Sequence, residues 1–503
     1  MMLSQFCSEY SVVAFTTASV IGGFFSYHFF AKSTAKKTKE KSVEEPKKVT
    51  IHIGEYEYDI TQFKHPGGNI IHFMTKGQDA TNAFEEFHYR SKKARRILDS
   101  LPKTKIISPE PPTKKEIPSV SVSILETIPE NIPENIPENI PETIPETIPV
   151  SIPETIPEPF KGGGQGGTEF PLFRKSLEER GFFKPSYSHV AYRIVELCGI
   201  YSAAMYMIPI NIYASVLLFG LFGGKCGWLQ HEGGHNSLTG IIPIDKQIQN
   251  ACIGFGLFTD GNMWNHMHNR HHATPQKIGQ DMDLDTAPLV AFHKDVIAGK
   301  YGGNWIVQWW LRFQMVTFLP ITSGVFVMFF WVLYLHPRKI IRDRNISQAC
   351  IVLVGHTSRI LSFMILGEMD VYHALLCHVG SLWVSGVFLF GHFSLSHTFT
   401  PIVKEDENPD WMRYAIEHTV DIAPDNPIVC WVMGYLNCQV IHHLFPSMPQ
   451  FRGPEVSREL KTLCKKWGIE YRIVSYGEAW SYMFSNLYEV GGAALPLTPS
   501  QVG

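Results

Sequence analysis

Histidine is the residue type whose spacing in this chain points to chemistry. His231 and His235 in QHEGGH stand four apart, which sets both imidazoles on one face of a helix, one turn apart. MHNRHH supplies His268, His271 and His272, and QVIHH supplies His442 and His443 behind Gln439. One such pair has a bland reading as surface residues on a helix. Three clusters beside membrane-like segments do not, because polar groups there are costly unless used. Imidazole suits iron, copper, zinc and nickel, and these seven nitrogen donors exceed what one ion holds, so the pattern implies two metal ions. Outer-shell carboxylates often accept the second N–H of a ligating imidazole. Asp281, Asp283 and Asp285 in DMDLD are candidates for that role, or form a solvated acidic loop.

A second pair lies nearer the N-terminus, His65 in FKHPGG and His88 in DATNAFEEFHYRS. Two neutral imidazoles on opposite faces of a haem leave its iron six-coordinate and suited to electron transfer. The two motifs closely resemble cytochrome b5, and the resemblance makes His65 and His88 the axial ligands of haem b.

The elements that must position these groups are legible in outline. Residues 12–31 are an uncharged run of about the ~20 residues that span a bilayer, succeeded at once by Lys32, Lys36, Lys37, Lys39 and Lys41, with only Glu9 before it. The positive-inside rule places the chain beyond residue 31 in the cytosol; an uncleaved targeting segment is the alternative for residues 1–47. Residues 48–103 mix β-like stretches (VTIHIG, EYEYDI) with helical patterns and read as a small soluble α+β domain. In residues 104–168, prolines 129, 133, 137, 141, 145, 149, 153 and 157 recur every fourth position before GGGQGG. Proline removes donors and fixes φ, so this segment reads as an extended acidic spacer ending in a flexible joint.

Residues 169–491 read as a mainly α-helical membrane domain, with 492–503 as a tail. Val190 to Leu229 is long enough for a helical hairpin broken near Pro209 and Asn211, and Ile346 to Leu366 with Val371 to Leu395 for a second, giving four core transmembrane helices. The apolar block Gln314 to Leu335 is also long enough. Yet His231, His268, His397 and His442 must share one side to meet, and Arg338, Lys339, Arg342 and Arg344 mark the loop after this block as cytosolic. Parity therefore makes the block re-entrant or interfacial, helped by Pro320 and Gly324.

The sequence HxxxH, HxxHH and QxxHH joined to a cytochrome b5-like domain resembles the front-end fatty-acid desaturases over nearly the whole chain, apart from the N-terminal segment and the proline repeat. Gln439 replaces the first histidine of the third box, a hallmark of that group. The resemblance implies a catalytic di-iron centre held by His231, His235, His268, His271, His272, His442, His443 and one more histidine, best matched by His397 in FSLSHT. Ser396 stands before it where relatives often carry asparagine. FFKPSYSHVAYRIVEL, GGKCGWLQHEGGHNSLTG, MHNRHHATPQK with DMDLDTAP, and GYLNCQVIHHLFPSMPQF look like the microalgal acyl-CoA delta-6 desaturases. That closer resemblance implies a linoleoyl- or alpha-linolenoyl-CoA substrate, O2 as co-substrate, electrons from an NADH-cytochrome b5 reductase through the haem domain, and residence in the endoplasmic reticulum.

Rival readings share parts of this pattern. A delta-5 or delta-8 desaturase, sphingoid types included, and an acyl hydroxylase have the same parts. A membrane-tethered electron carrier would need only the haem domain. His266, His392 and His418 read as structural or supporting rather than ligating, and Trp228, Trp264 and Trp411 as lining an acyl channel or marking the membrane interface. The net charge of −3, without a long basic run, excludes nucleic acid as an expected partner, and nine scattered cysteines without a CxxC pair read as reduced thiols.

Overall fold

The computed structural model describes residues 48–74, 79–106, 165–284, 286–301 and 304–493. The expected anchor at 12–31, the proline repeat, Asp285 and the tail from 494 lie outside the described residues.

The small domain opens with a hairpin. β1 (Thr50–Ile53) pairs antiparallel with β2 (Tyr56–Asp59), Thr50 opposite Asp59, and the tight turn between them places Gly54 at φ +63°, where a side chain is strained. Alternation sends Ile51, Ile53 and Tyr58 inward. α1 (Thr81–His88) and α2 (Lys92–Ser100) cover this sheet, and Ser91 caps α2 by accepting from the Ala94 N–H at 3.1 Å. β3 (Lys103–Lys105) completes the sheet on the free edge of β2.

The larger domain is helical. In order its helices include α3 (Gln165–Glu179), α4 (Tyr187–Met207), α5 (Ile212–Gly234), α6 (Gly261–Ala273), α7 (Gln314–Arg342), α8 (Ile346–Leu366) and α9 (Val371–Ser394). Then come α10 (Trp411–His418), α11 (Gln439–Leu444), α12 (Gly453–Trp467) and α13 (Tyr476–Ala493), with β4 (Asp421–Ile422) parallel to β5 (Ile473–Val474). The break expected at Pro209 and Asn211 falls between α4 and α5. Pro209 cannot continue the first helix, and Asn211 caps the second by accepting from the Ala214 N–H. Charges inside this hairpin are paired, as intramembrane charges must be. Lys225 reaches Glu196 at 3.0 Å and donates to the Trp431 carbonyl at 2.6 Å.

α5 packs closely on α9 because its facing side is glycine: Gly220, Gly223, Gly224 and Gly227 admit Val384, Ser385, Phe388 and Leu389. Among the described residues, four helices, α5, α7, α8 and α9, are long and apolar enough to cross a membrane. α4 falls outside that set, although it forms the expected hairpin with α5. α7 is a longer continuous helical stretch than expected, since π-helical turns absorb Pro320 without breaking it. Its packing is nevertheless transverse. Leu319 meets Gly391, Gly324 meets Trp383, and Trp331 meets Phe390 at 5.0 Å, so α7 lies across one short stretch of α9 instead of running along it.

Candidate metal centre

α5 ends at the first histidine pair, with His231 in its last turn and His235 at its C-cap. α6, capped by Asp260 accepting from the Met263 N–H at 2.7 Å, carries His268, His271 and His272. The turn after α9 carries His397, and α11 carries His442 and His443. All are buried except His397, which is partly exposed. The structure sorts them into two groups. Ligand nitrogens of His231, His235, His268, His272 and His442 lie within 4.8 Å of one another, and so do those of His271, His397 and His443. The Nε2 atom of His272 is 3.0 Å from that of His268 and 2.9 Å from that of His442.

Burial drives the imidazoles neutral. It lowers the pKa of His235 to about 3 and those of His268, His272, His397, His442 and His443 well below the ordinary range, with neighbouring imidazoles adding to the effect. For His271 burial works the same way, but Asp281 and Asp283 outweigh it and raise the pKa to about 9. Both oxygens of fully buried Asp281 lie 3.0 Å from His271 Nδ1, so the carboxylate accepts that proton and leaves Nε2 to face the centre. Exposed Asp283 stands farther off, at 3.5 Å.

Whether the site suits metal ions is answered by its unpartnered atoms. His231 Nε2, His235 Nε2, His272 Nδ1, His397 Nδ1 and both nitrogens of His443 are buried without a hydrogen-bond partner among the described residues. Leaving buried polar atoms unpaired is costly, and neutral nitrogen donors converging from three helices and a turn fit cations in two adjacent positions. Gln439 sits at the edge of the second group, its amide 3.0 Å from His397 Nε2.

Two supporting residues were not legible in the sequence. The Gln450 amide lies 2.7 Å from His231 Nδ1, and Asp421 accepts from the Val440 N–H at 2.9 Å, from Ser457 and from Tyr471, fixing the start of α11. Neither belongs to a spaced motif. The remaining singled-out residues stay outside both groups. His392 bridges the Phe388 carbonyl and the Tyr476 hydroxyl, His418 donates to the Pro401 carbonyl, and His266 is exposed beside Gly68. Trp264 stacks on His268 at 4.3 Å, whereas Trp228 and Trp411 donate to the Val432 and Leu444 carbonyls.

In the small domain, the rings of His65 and His88 lie 6.0 Å apart and nearly perpendicular. His88 Nδ1 donates to the Phe84 carbonyl at 3.1 Å, which leaves Nε2 directed elsewhere. Burial holds both rings neutral. The spacing fits one iron between two axial imidazoles.

A helical membrane body with buried histidine clusters, joined to a bis-histidine domain, defines a class of membrane oxidoreductase with its electron carrier attached. The chain belongs to the fatty acid desaturase family, which it matches over residues 210–475, and residues 34–106 match the cytochrome b5-like heme/steroid binding domain. It is therefore an integral membrane protein. It is 34% identical to the acyl-lipid (8-3)-desaturase of Rebecca salina over 93% of this chain and 97% of that one. With the acyl-lipid (8-3)-desaturase of Thraustochytrium sp it shares 32% over 88% and 93%, and with the Delta(6)-fatty-acid desaturase fat-3 of Caenorhabditis elegans 24% over 84% and 91%.

Proposed function

We propose that this chain is a front-end desaturase of delta-6 position, inserting a double bond between an existing one and the carboxyl end of a polyunsaturated acyl-CoA. The observation that carries the metal-dependent part is the pair of buried histidine groups with unpartnered nitrogens beside spanning helices. His231, His235, His268, His272 and His442 would hold one iron and His271, His397 and His443 the other, with Gln439 orienting His397. Iron held there would supply the O2-derived oxidant that unactivated methylene C–H bonds require. Asp281 fixes the His271 tautomer, Gln450 holds His231, and the apolar walls, including Trp264, exclude water. His65 and His88 would hold haem b, which would supply single-electron transfer, with the two electrons per turnover coming from an NADH-cytochrome b5 reductase. The lysines after residue 31 and the shared side of the boxes support a cytosol-facing site, with the endoplasmic reticulum as the membrane.

The delta-6 position is supported by the four stretches that resemble microalgal delta-6 enzymes, and the names of the (8-3) relatives favour a second reading, delta-5 or delta-8 insertion on an acyl-lipid. Yeast expressing the chain, or His442→Ala as control, and fed acids whose first double bond is at carbon 8, 9 or 11 separates these. A new bond at carbon 6 from linoleic acid, absent from the control and appearing first in the acyl-CoA pool, is expected. A bond at carbon 5 or 8, or first appearance in phospholipid, would overturn the position or the carrier respectively.

A further inference from the structure

His88 ends α1, and the four other residues of the segment Glu86–Arg90 all reach out of the haem domain. Buried Glu86 accepts from Arg174 Nε of α3 at 2.6 Å. Tyr89 donates to Glu178 at 3.1 Å and packs on Phe183 at 5.0 Å. Arg90 donates to the carbonyls of Phe183, at 2.6 Å, and Ser447. It fits beside Gly240, where a Cβ would stand 2.7 Å from its Nη1, so the body leaves a gap for this guanidinium. Phe87 sits between Trp411, at 5.6 Å, and His272, at 6.3 Å. Glu85, by contrast, turns home to Arg95 of its own domain. On the far edge Arg270 of α6 lies over Phe73 at 5.2 Å.

We propose that α1 is a docking element for this chain's own desaturase body, and that Phe87 is a positioning residue seating the haem ligand His88 against the metal-cluster residue His272. The inference rests on the desaturase reading above and adds the geometry by which the fused carrier meets its acceptor. Each docked contact would pass one electron from reduced haem toward the histidine groups, the haem then being re-reduced by an external nicotinamide-dependent reductase. The buried ion pair makes the seat specific, since an unpaired Glu86 or Arg174 is strongly disfavoured, and Phe87 is the one side chain of the segment that touches both the seat and a cluster histidine.

Two readouts test this on full-length, haem-loaded protein in detergent. Hydrogen exchange of residues 83–90, 170–183 and 444–448 reports docking without any turnover. Glu86→Arg should raise exchange at least about tenfold, and adding Arg174→Glu should restore protection, with the haem spectrum kept throughout. Stopped-flow reoxidation of prereduced haem by acyl substrate and O2 reports positioning. Phe87→Leu should leave exchange unchanged but slow reoxidation about tenfold, while Phe87→Trp stays near wild type. Wild-type protection in Glu86→Arg, or wild-type reoxidation in Phe87→Leu, would overturn the inference. If no acyl substrate reoxidises even the wild-type haem while the exchange pattern holds, the desaturase reading fails and the docking seat stands.

Discussion

Replacing Asp281 by asparagine tests the reasoning about the second histidine group most directly. The carboxylate is fully buried and serves three donors: His271 Nδ1 at 3.0 Å, the Gln276 N–H at 2.7 Å and the Asp283 N–H at 2.9 Å. An amide keeps one acceptor oxygen. If that oxygen faces Gln276 it can still accept from His271 Nδ1, but the NH2 then confronts the Asp283 N–H and crowds the same ring proton. Hydrogen bonds to a charged group are worth about 1.5–3 kcal/mol each, and losing an outer-shell partner of a ligating histidine lowers metal affinity or activity about 10–100-fold, equivalent to about 1.4–2.8 kcal/mol. Purified Asp281→Asn should therefore retain its haem band, lose non-haem iron on dialysis against a chelator that leaves the wild type loaded, and give at most about a tenth of the wild-type product. Asp283→Asn, altering an exposed carboxylate 3.5 Å from the ring, should stay within about twofold. Full iron retention and full product in Asp281→Asn would refute the assignment of Asp281 as the residue that orients His271.

Three further outcomes are expected. Burial raises the Asp421 pKa from 3.8 to about 6, against the donors Ser457, Tyr471 and Val440 N–H. Its folded-state pKa thus lies above the unfolded one, so the fold keeps a proton that the unfolded chain releases. Stability should fall by up to about 3 kcal/mol as pH rises from about 4 to about 6 and level off above. Asp421→Asn should flatten that window in thermal unfolding, and an unchanged slope would count against the burial argument. Gly224→Ala would place a Cβ 2.2 Å from Phe388 Cδ1, so α5 and α9 must move apart at about 1–3 kcal/mol; a lower unfolding temperature in detergent checks this, and no change would mean the contact is slack. His88→Ala should abolish the haem spectrum while leaving non-haem iron bound, whereas His442→Ala should do the reverse; loss of both metals in either variant would contradict two separate sites.

Much of this was legible in the chain because the relevant order is local. The HxxxH spacing of His231 and His235 becomes one helix face at a fixed pitch, Pro209 and Asn211 end one helix and cap the next, and VTIHIG and EYEYDI alternate into the hairpin of the haem domain. Length and apolar content marked the candidate membrane segments, whereas the residues of α9 that Gln314–Arg342 packs against are given only by tertiary contacts. The sequence by itself determined the donor type, imidazole, and the three places in the chain where it clusters. Only the tertiary structure decided how they are shared. Adjacent His271 and His272, like His442 and His443, point about 100° apart on their helices, and which group each joins depends on other chain segments, such as His442 beside His272, 170 positions away. The same holds for Gln450 on His231, 219 positions distant, and for Glu86 on Arg174, 88 positions distant. Helical periodicity fixes which side of a helix a residue takes, whereas the neighbour it meets there is fixed by packing, which no local pattern encodes.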